Sequence, residues 1–174
     1  MKKKMLMMAA LLCCLMGFTA CGSDDEPDEP TTVTVTYTIT LNADVHKVVD
    51  NVIVKYIDGS GNVKTAVVEQ GKTTWTKSVT ASSFPVRMGY ALNLSESALE
   101  ESELTQDTYN LIVDGDISYK LSTAVRENGN NKTLMSKENV KKSDVASVLK
   151  KNSPISYGYV LKEDGTLGAY ELSW

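Results

Sequence analysis

The chain has 174 residues and sets 18 lysines and arginines against 22 aspartates and glutamates, a net charge of −4, with one histidine and three cysteines. Neutralising phosphates takes a concentrated basic excess, so this balance excludes a nucleic-acid-binding surface. From Thr31 onward the length suits one domain able to bury about two-thirds of its unfolded surface, and neither an internal repeat nor a second linker divides it.

In chain order, Lys2, Lys3 and Lys4 precede an apolar run from Met5 to Gly17, followed by Phe18-Thr19-Ala20-Cys21. The run is too short for a transmembrane helix of ~20 residues. Its basic flank and small-residue exit read as a cleavable export signal over residues 1–20. Thr19 and Ala20 are the small residues before the cut, while Phe18 is bulkier than the usual aliphatic residue there. A thiolate is the only nucleophile here able to carry a thioether-linked diacylglycerol, so the covalent lipid belongs on Cys21, and no other cofactor is expected. Residues 21–30 then form a tether in which Asp24, Asp25, Glu26, Asp28 and Glu29 alternate with Pro27 and Pro30, a composition that cannot bury a core. Loss of the leader removes Cys13 and Cys14, so no disulfide is available and stability rests on packing. Beyond the tether 15 basic residues face 17 acidic ones, close to balance.

The lipobox-like FTAC followed by SDDE resembles the surface-exposed lipoproteins of Bacteroidota. That resemblance implies that Ser23, Asp24, Asp25 and Glu26 act as an export signal across the outer membrane. It also implies a lipid-anchored, cell-surface location, with a periplasm-facing anchor as the alternative. It covers the first thirty residues and implies no activity.

Residues 31–42 alternate Val33, Val35, Tyr37, Ile39 and Leu41 with Thr34, Thr36, Thr38 and Thr40, the period of two of a strand with one buried face. Residues 51–58 and 62–69 flank Asp58-Gly59-Ser60-Gly61-Asn62, a hairpin loop, and a third run covers 73–80. Phe84, Val86, Met88, Tyr90, Leu92 and Leu94 share a face in 84–94, with Pro85 at the start or on an edge. Runs at 108–113 and 117–125 meet at Asp114-Gly115-Asp116, which reads as a second tight hairpin. The last pair, 155–161 and 167–174, brackets a turn at 162–166. Ser143 is placed to cap a helix with Val145, Val148 and Leu149 on one face, closed by Lys150, Lys151, Asn152 and Pro154. Ser97 and Glu100 have capping-box spacing in a weaker helical or loop segment. Eight or nine strands with one short helix, joined mainly by hairpin-like loops, predict an all-β antiparallel sandwich over residues 31–174, immunoglobulin-like or transthyretin-like. The Cys-Trp-Cys signature of antibody domains is missing, and a small barrel is the other architecture open to this pattern.

The candidate chemistry is sparse. His46 lies in a polar connection and reads as an exposed loop residue, with no serine elbow or metal-binding helix motif to join it. Asp58, Ser60, Asn62 and Glu69 have the spacing of calcium-loop ligands, but Val63 stands where such a loop needs glycine, so a hairpin explains them and no metal site is expected. Asp114 and Asp116 read as turn residues. Trp75 is the candidate for a ligand-binding aromatic platform, since its strand suits a sheet edge; Tyr37, Tyr90, Tyr170 and Trp174 follow core periodicity. An acidic stretch (Glu96, Glu100, Glu101, Glu103, Asp107) and a basic one (Lys132, Lys137, Lys141, Lys142, Lys150, Lys151) read as solvated faces able to steer a protein partner. The expected function is a non-catalytic cell-envelope binding or accessory module for a glycan, a protein or an outer-membrane complex, held to the membrane by its lipid. The alternatives are a fibre or adhesin subunit assembled by strand addition and, less favoured, a hydrolase.

Overall fold

The computed structural model describes residues 31–128 and 131–174. The leader, Cys21 and the tether with Ser23, Asp24, Asp25 and Glu26 lie outside the described residues. The rest is an all-β antiparallel sandwich of two five-stranded sheets. The first contains β1 (Val33–Leu41), β4 (Thr74–Ala81), β6 (Thr108–Leu121), β7 (Ala124–Asn128) and β8 (Lys132–Lys141). The second contains β2 (Val52–Ile57), β3 (Val63–Val68), β5 (Val86–Leu92), β9 (Ile155–Leu161) and β10 (Leu167–Ala169). Strands lie in the order β4-β1-β6, with β7 and β8 both beside β6, and in the order β10-β9-β5-β2-β3. Because β1 and β2 belong to different sheets, the immunoglobulin order, in which the first two strands are neighbours, is not realised.

The sheets bury the faces that period-two alternation marks. Val33, Val35, Tyr37 and Ile39 of β1 are fully buried, as are Met88, Tyr90 and Leu92 of β5 and Val52 and Val54 of β2. Aromatic rings run through this core from edge to edge. Trp75 meets Tyr56 at 5.6 Å between ring centroids, Tyr56 meets Tyr37 at 6.0 Å, Tyr37 meets Tyr90 at 6.5 Å and Tyr90 meets Tyr157 at 6.1 Å. The buried Tyr37 hydroxyl donates to the Ile57 carbonyl at 2.9 Å and so joins the two sheets.

Several expectations are corrected. Asp114-Gly115-Asp116 is not a hairpin but the interior of β6, a single strand of 14 residues. A methyl group on Gly115 would lie 1.8 Å from the Tyr90 hydroxyl, so this glycine makes room for a core tyrosine rather than a turn. The chain reverses at Ser122-Thr123 and returns alongside β6 as β7 and then β8: Tyr119 faces Asn128, and Gly115 faces Lys132. The strand β8 is one that alternation does not announce, since within it only Met135 and Val140 are buried. The segment of His46 is not an exposed loop: it forms α1 (Val45–Val48), a single turn in which Val45, His46 and Val48 are buried.

The predicted helix near 145–151 is present as α2 (Val145–Lys151), with Val145 and Leu149 buried, but Asp144 rather than Ser143 stands at its N-cap and no side chain caps it. The segment 95–103 forms two 3-10 turns, Ser95–Ser97 and Glu101–Glu103, and the capping box joins Glu100 to Glu103 instead of Ser97 to Glu100. Beyond β10 the chain leaves the ladder and crosses the outer face of the second sheet. There Leu172 packs with Ile57 and Ala91, with Tyr170 and Trp174 at the margins of that small cluster. The Trp174 indole donates to Glu96 at 2.9 Å, and the Lys55 ammonium sits 4.4 Å above its ring centroid.

Candidate functional site

Adjacent strands place paired residues on the same face, so the outward side of the first sheet can be read from its register. Thr40 lies between Thr74 and Asp114, Thr38 between Thr76 and Asp116, and Thr36 between Ser78 and Ser118. The result is a hydroxyl-rich face three strands wide with two carboxylates in its β6 row. Its fixed lattice has spacings of about 4.8 Å between strands and ~6.8 Å along them. The Thr36 and Ser78 hydroxyls are 2.9 Å apart, and Thr133 of β8 donates to Asp114 at 2.8 Å.

A groove of about 640 Å³ runs over this face, lined by Thr38, Thr40, Asp114, Gly115, Asp116 and Asn131. A second, smaller depression lined by Thr34, Thr36, Ser118, Tyr119 and Lys120 continues it along the same face. The groove volume is in the range of small-molecule sites. Its chemistry is one of hydrogen bonding: carboxylates accept, threonine hydroxyls both donate and accept, and the asparagine amide does both. The floor is rigid, because β1 is paired on both sides and its inward residues are fully buried.

The other singled-out residues fall elsewhere. Trp75 is opposite Ile39 in the register of β4 and β1, hence on the inward side, half-buried and packed against Tyr56. His46 is held in place: Nε2 donates to the Lys72 carbonyl at 2.7 Å, while Gln70 donates to the His46 carbonyl at 2.8 Å. Its Nδ1 is buried without a hydrogen-bond partner. The Asp58 carboxylate accepts the Ser60 and Asn62 backbone N–H groups at 3.0 and 2.8 Å, the local bonding of a hairpin turn. These bonds, led by that from Asn62, hold its carboxyl below the ordinary range. Among the described residues no group of three or more histidine, cysteine, aspartate or glutamate side chains is arranged to hold a metal ion, and no helix is long and apolar enough to cross a membrane.

The assembly of Thr38, Thr40, Asp114, Asp116 and Asn131 was not foreseeable residue by residue. The threonine face was visible in the alternation, but the aspartates join it only through the pairing of β1 with β6. Comparison with family models, curated proteins and solved structures finds no match for this chain.

Proposed function

We propose that this chain is a lipid-anchored cell-envelope module, attached through Cys21 and carried outward by Ser23, Asp24, Asp25 and Glu26, that binds a glycan without chemically altering it. The observation that carries the glycan reading is the groove on the first sheet. Hydroxyls and carboxylates at fixed spacings match a ligand that repeats its own hydroxyls. Each such bond exchanges with water and contributes only about 0.5–1.5 kcal/mol net, so several in register are needed. A repeating polyol meets that requirement better than an apolar ligand would. Thr40 lies seven residues along β1 from the strand's start, ~24 Å by the rise of an extended strand, which puts the groove away from the tethered end.

The fibre reading draws less support. Donating β1 would strip a central strand whose inward side chains are fully buried. The sheet edges are also poor templates. β3 and β4 bear Lys64 and Lys77 at inward-facing register positions, opposite Tyr56 and Tyr37. β10 has three residues, and the β8 pairing is interrupted by register shifts. Inward charges, short strands and irregular ladders are recognised protections against edge-to-edge pairing.

The anchor is tested by metabolic labelling with a palmitate analogue and by membrane fractionation. The wild-type chain should be labelled and sediment with the envelope, whereas Cys21→Ala should lose both label and attachment. An unchanged distribution of Cys21→Ala would refute the anchor. Binding is tested separately with a panel of neutral and acidic oligosaccharides. Binding of a neutral oligosaccharide that Asp114→Asn/Asp116→Asn abolishes supports the groove, and turnover of any bound sugar would overturn the non-catalytic reading.

A further inference from the structure

On the side of the sandwich where β8 approaches β9, a cleft of about 340 Å³ is lined by Lys132, Lys151, Asn152, Ser153, Ser156 and Glu171, with Leu134 and Ile155 as its apolar surface. It stands back to back with the threonine groove: Asn131 lines one and Lys132 the other. Two features set it apart from a solvated lysine patch. The first is that the Ser153 hydroxyl is buried without a hydrogen-bond partner. Buried polar atoms are nearly always partnered, and an orphan asks for an explanation. The second is that the side chain of Lys132, an exposed residue, is placed by an aromatic ring: its ammonium lies 4.8 Å above the Tyr157 ring centroid. Neither Lys132 nor Lys151 belongs to an ion pair among the described residues.

We infer that this cleft is a second binding site, which takes a carboxylate-bearing sugar of an acidic glycan through Lys132 and Lys151. The two ammonium groups attract the carboxylate. Ser153, Asn152 and Ser156 supply donors and acceptors for ring hydroxyls, and Leu134 with Ile155 offers an apolar surface to the C–H face of a pyranose. Glu171 favours a sugar acid over a simple anion. Its carboxylate repels any anion, but it accepts hydrogen bonds from sugar hydroxyls, which offset that repulsion and which acetate lacks. The inference extends the glycan reading to a ligand class, yet it stands on residues that the groove does not use.

The test is calorimetric titration of the full-length chain, recovered from membranes in detergent, with oligogalacturonate, oligoglucuronate and the carboxyl-reduced form of each. At least one acidic oligosaccharide should bind tenfold or more tightly than its reduced counterpart, with a preference that weakens as salt rises. Lys132→Met/Lys151→Met should abolish that preference, while Lys77→Met, on a distant edge, should leave it intact. Ser153→Ala should lower affinity severalfold without lowering the melting temperature, since its hydroxyl has no partner in the unliganded chain; a merely structural serine would give the reverse. Asp114→Asn/Asp116→Asn should retain the acidic preference, so failure of the groove and failure of the cleft are separable. Equal binding of acidic and reduced sugars, indifference to the lysine substitutions, or no binding of either acid would overturn the assignment.

Discussion

A methyl group at Gly115 would meet Tyr90 at 1.8 Å from the hydroxyl oxygen and 2.7 Å from Cζ, with Leu134 Cδ1 at 2.8 Å. Gly115→Ala should therefore destabilise the domain by about 1–3 kcal/mol through overpacking. Tyr90→Phe alone should be neutral or stabilising, because the hydroxyl it removes is buried and unpartnered. In the double variant part of the loss should return. Urea denaturation of the four proteins measures this coupling, and strict additivity would show that Tyr90 is not what Gly115 accommodates. Tyrosine ionisation gives a second prediction at this scale. Burial, reinforced by the Tyr159 hydroxyl bonded to it, pushes Tyr157 up from 10.0 to about 12, and burial raises Tyr37 and Tyr90 as well. A phenol with a raised folded value keeps its proton while the unfolded chain starts to lose its own at 10.0. Stability from these groups is thus intact below pH 10 and is lost as the pH climbs from there toward the folded values. An absorbance titration should show phenolate appearing together with unfolding above pH 10. Titration of Tyr37, Tyr90 and Tyr157 at their ordinary value in a still-folded chain would contradict this.

Among the elements, β1 and β5 were legible because every second residue is apolar and faces one core, whereas β2 and β9, which lack that alternation, were legible from the turns beside them. The element β8 was hidden, since a strand at the sheet margin can be mostly polar and still pair along its length. In β6 an Asp-Gly-Asp triplet imitates a turn; what overrode it was tertiary packing, because Tyr90 needs the space that a side chain would fill. The helix α1 is too short for periodicity to register, and its burial depends on neighbours remote in sequence. The edge strands carry a prediction of their own. Lys64→Val/Lys77→Val removes the charges at inward register positions of β3, where Val63 and Val67 are exposed, and of β4, and should raise the chain's tendency to self-associate. Light scattering across a concentration series reads this out. A double variant that associates no more than the wild type would show that other features protect those edges.

At the scale of the whole molecule, the all-β sandwich was readable from alternation and turn residues, whereas the groove on its first sheet was not. Thr38 and Asp116 are distant in sequence but direct partners across β1 and β6, and a groove built from such partners exists only once the register is set. Among the described residues the sandwich offers one outward sheet face that carries hydroxyls and carboxylates in rows set by the register of β4, β1 and β6, and the proposed function joins this face to a lipid at Cys21. The proposed function rests on this outward face as the binding surface for a glycan. The most direct measurement is binding of a neutral oligosaccharide, which the lysine cleft does not favour, to the full-length chain compared with Thr38→Val/Thr40→Val, which keeps the β-branched shape and removes the two hydroxyls at the groove. The variant should bind at least tenfold more weakly, with an unchanged melting temperature. Undiminished binding by this variant would contradict the groove as the site.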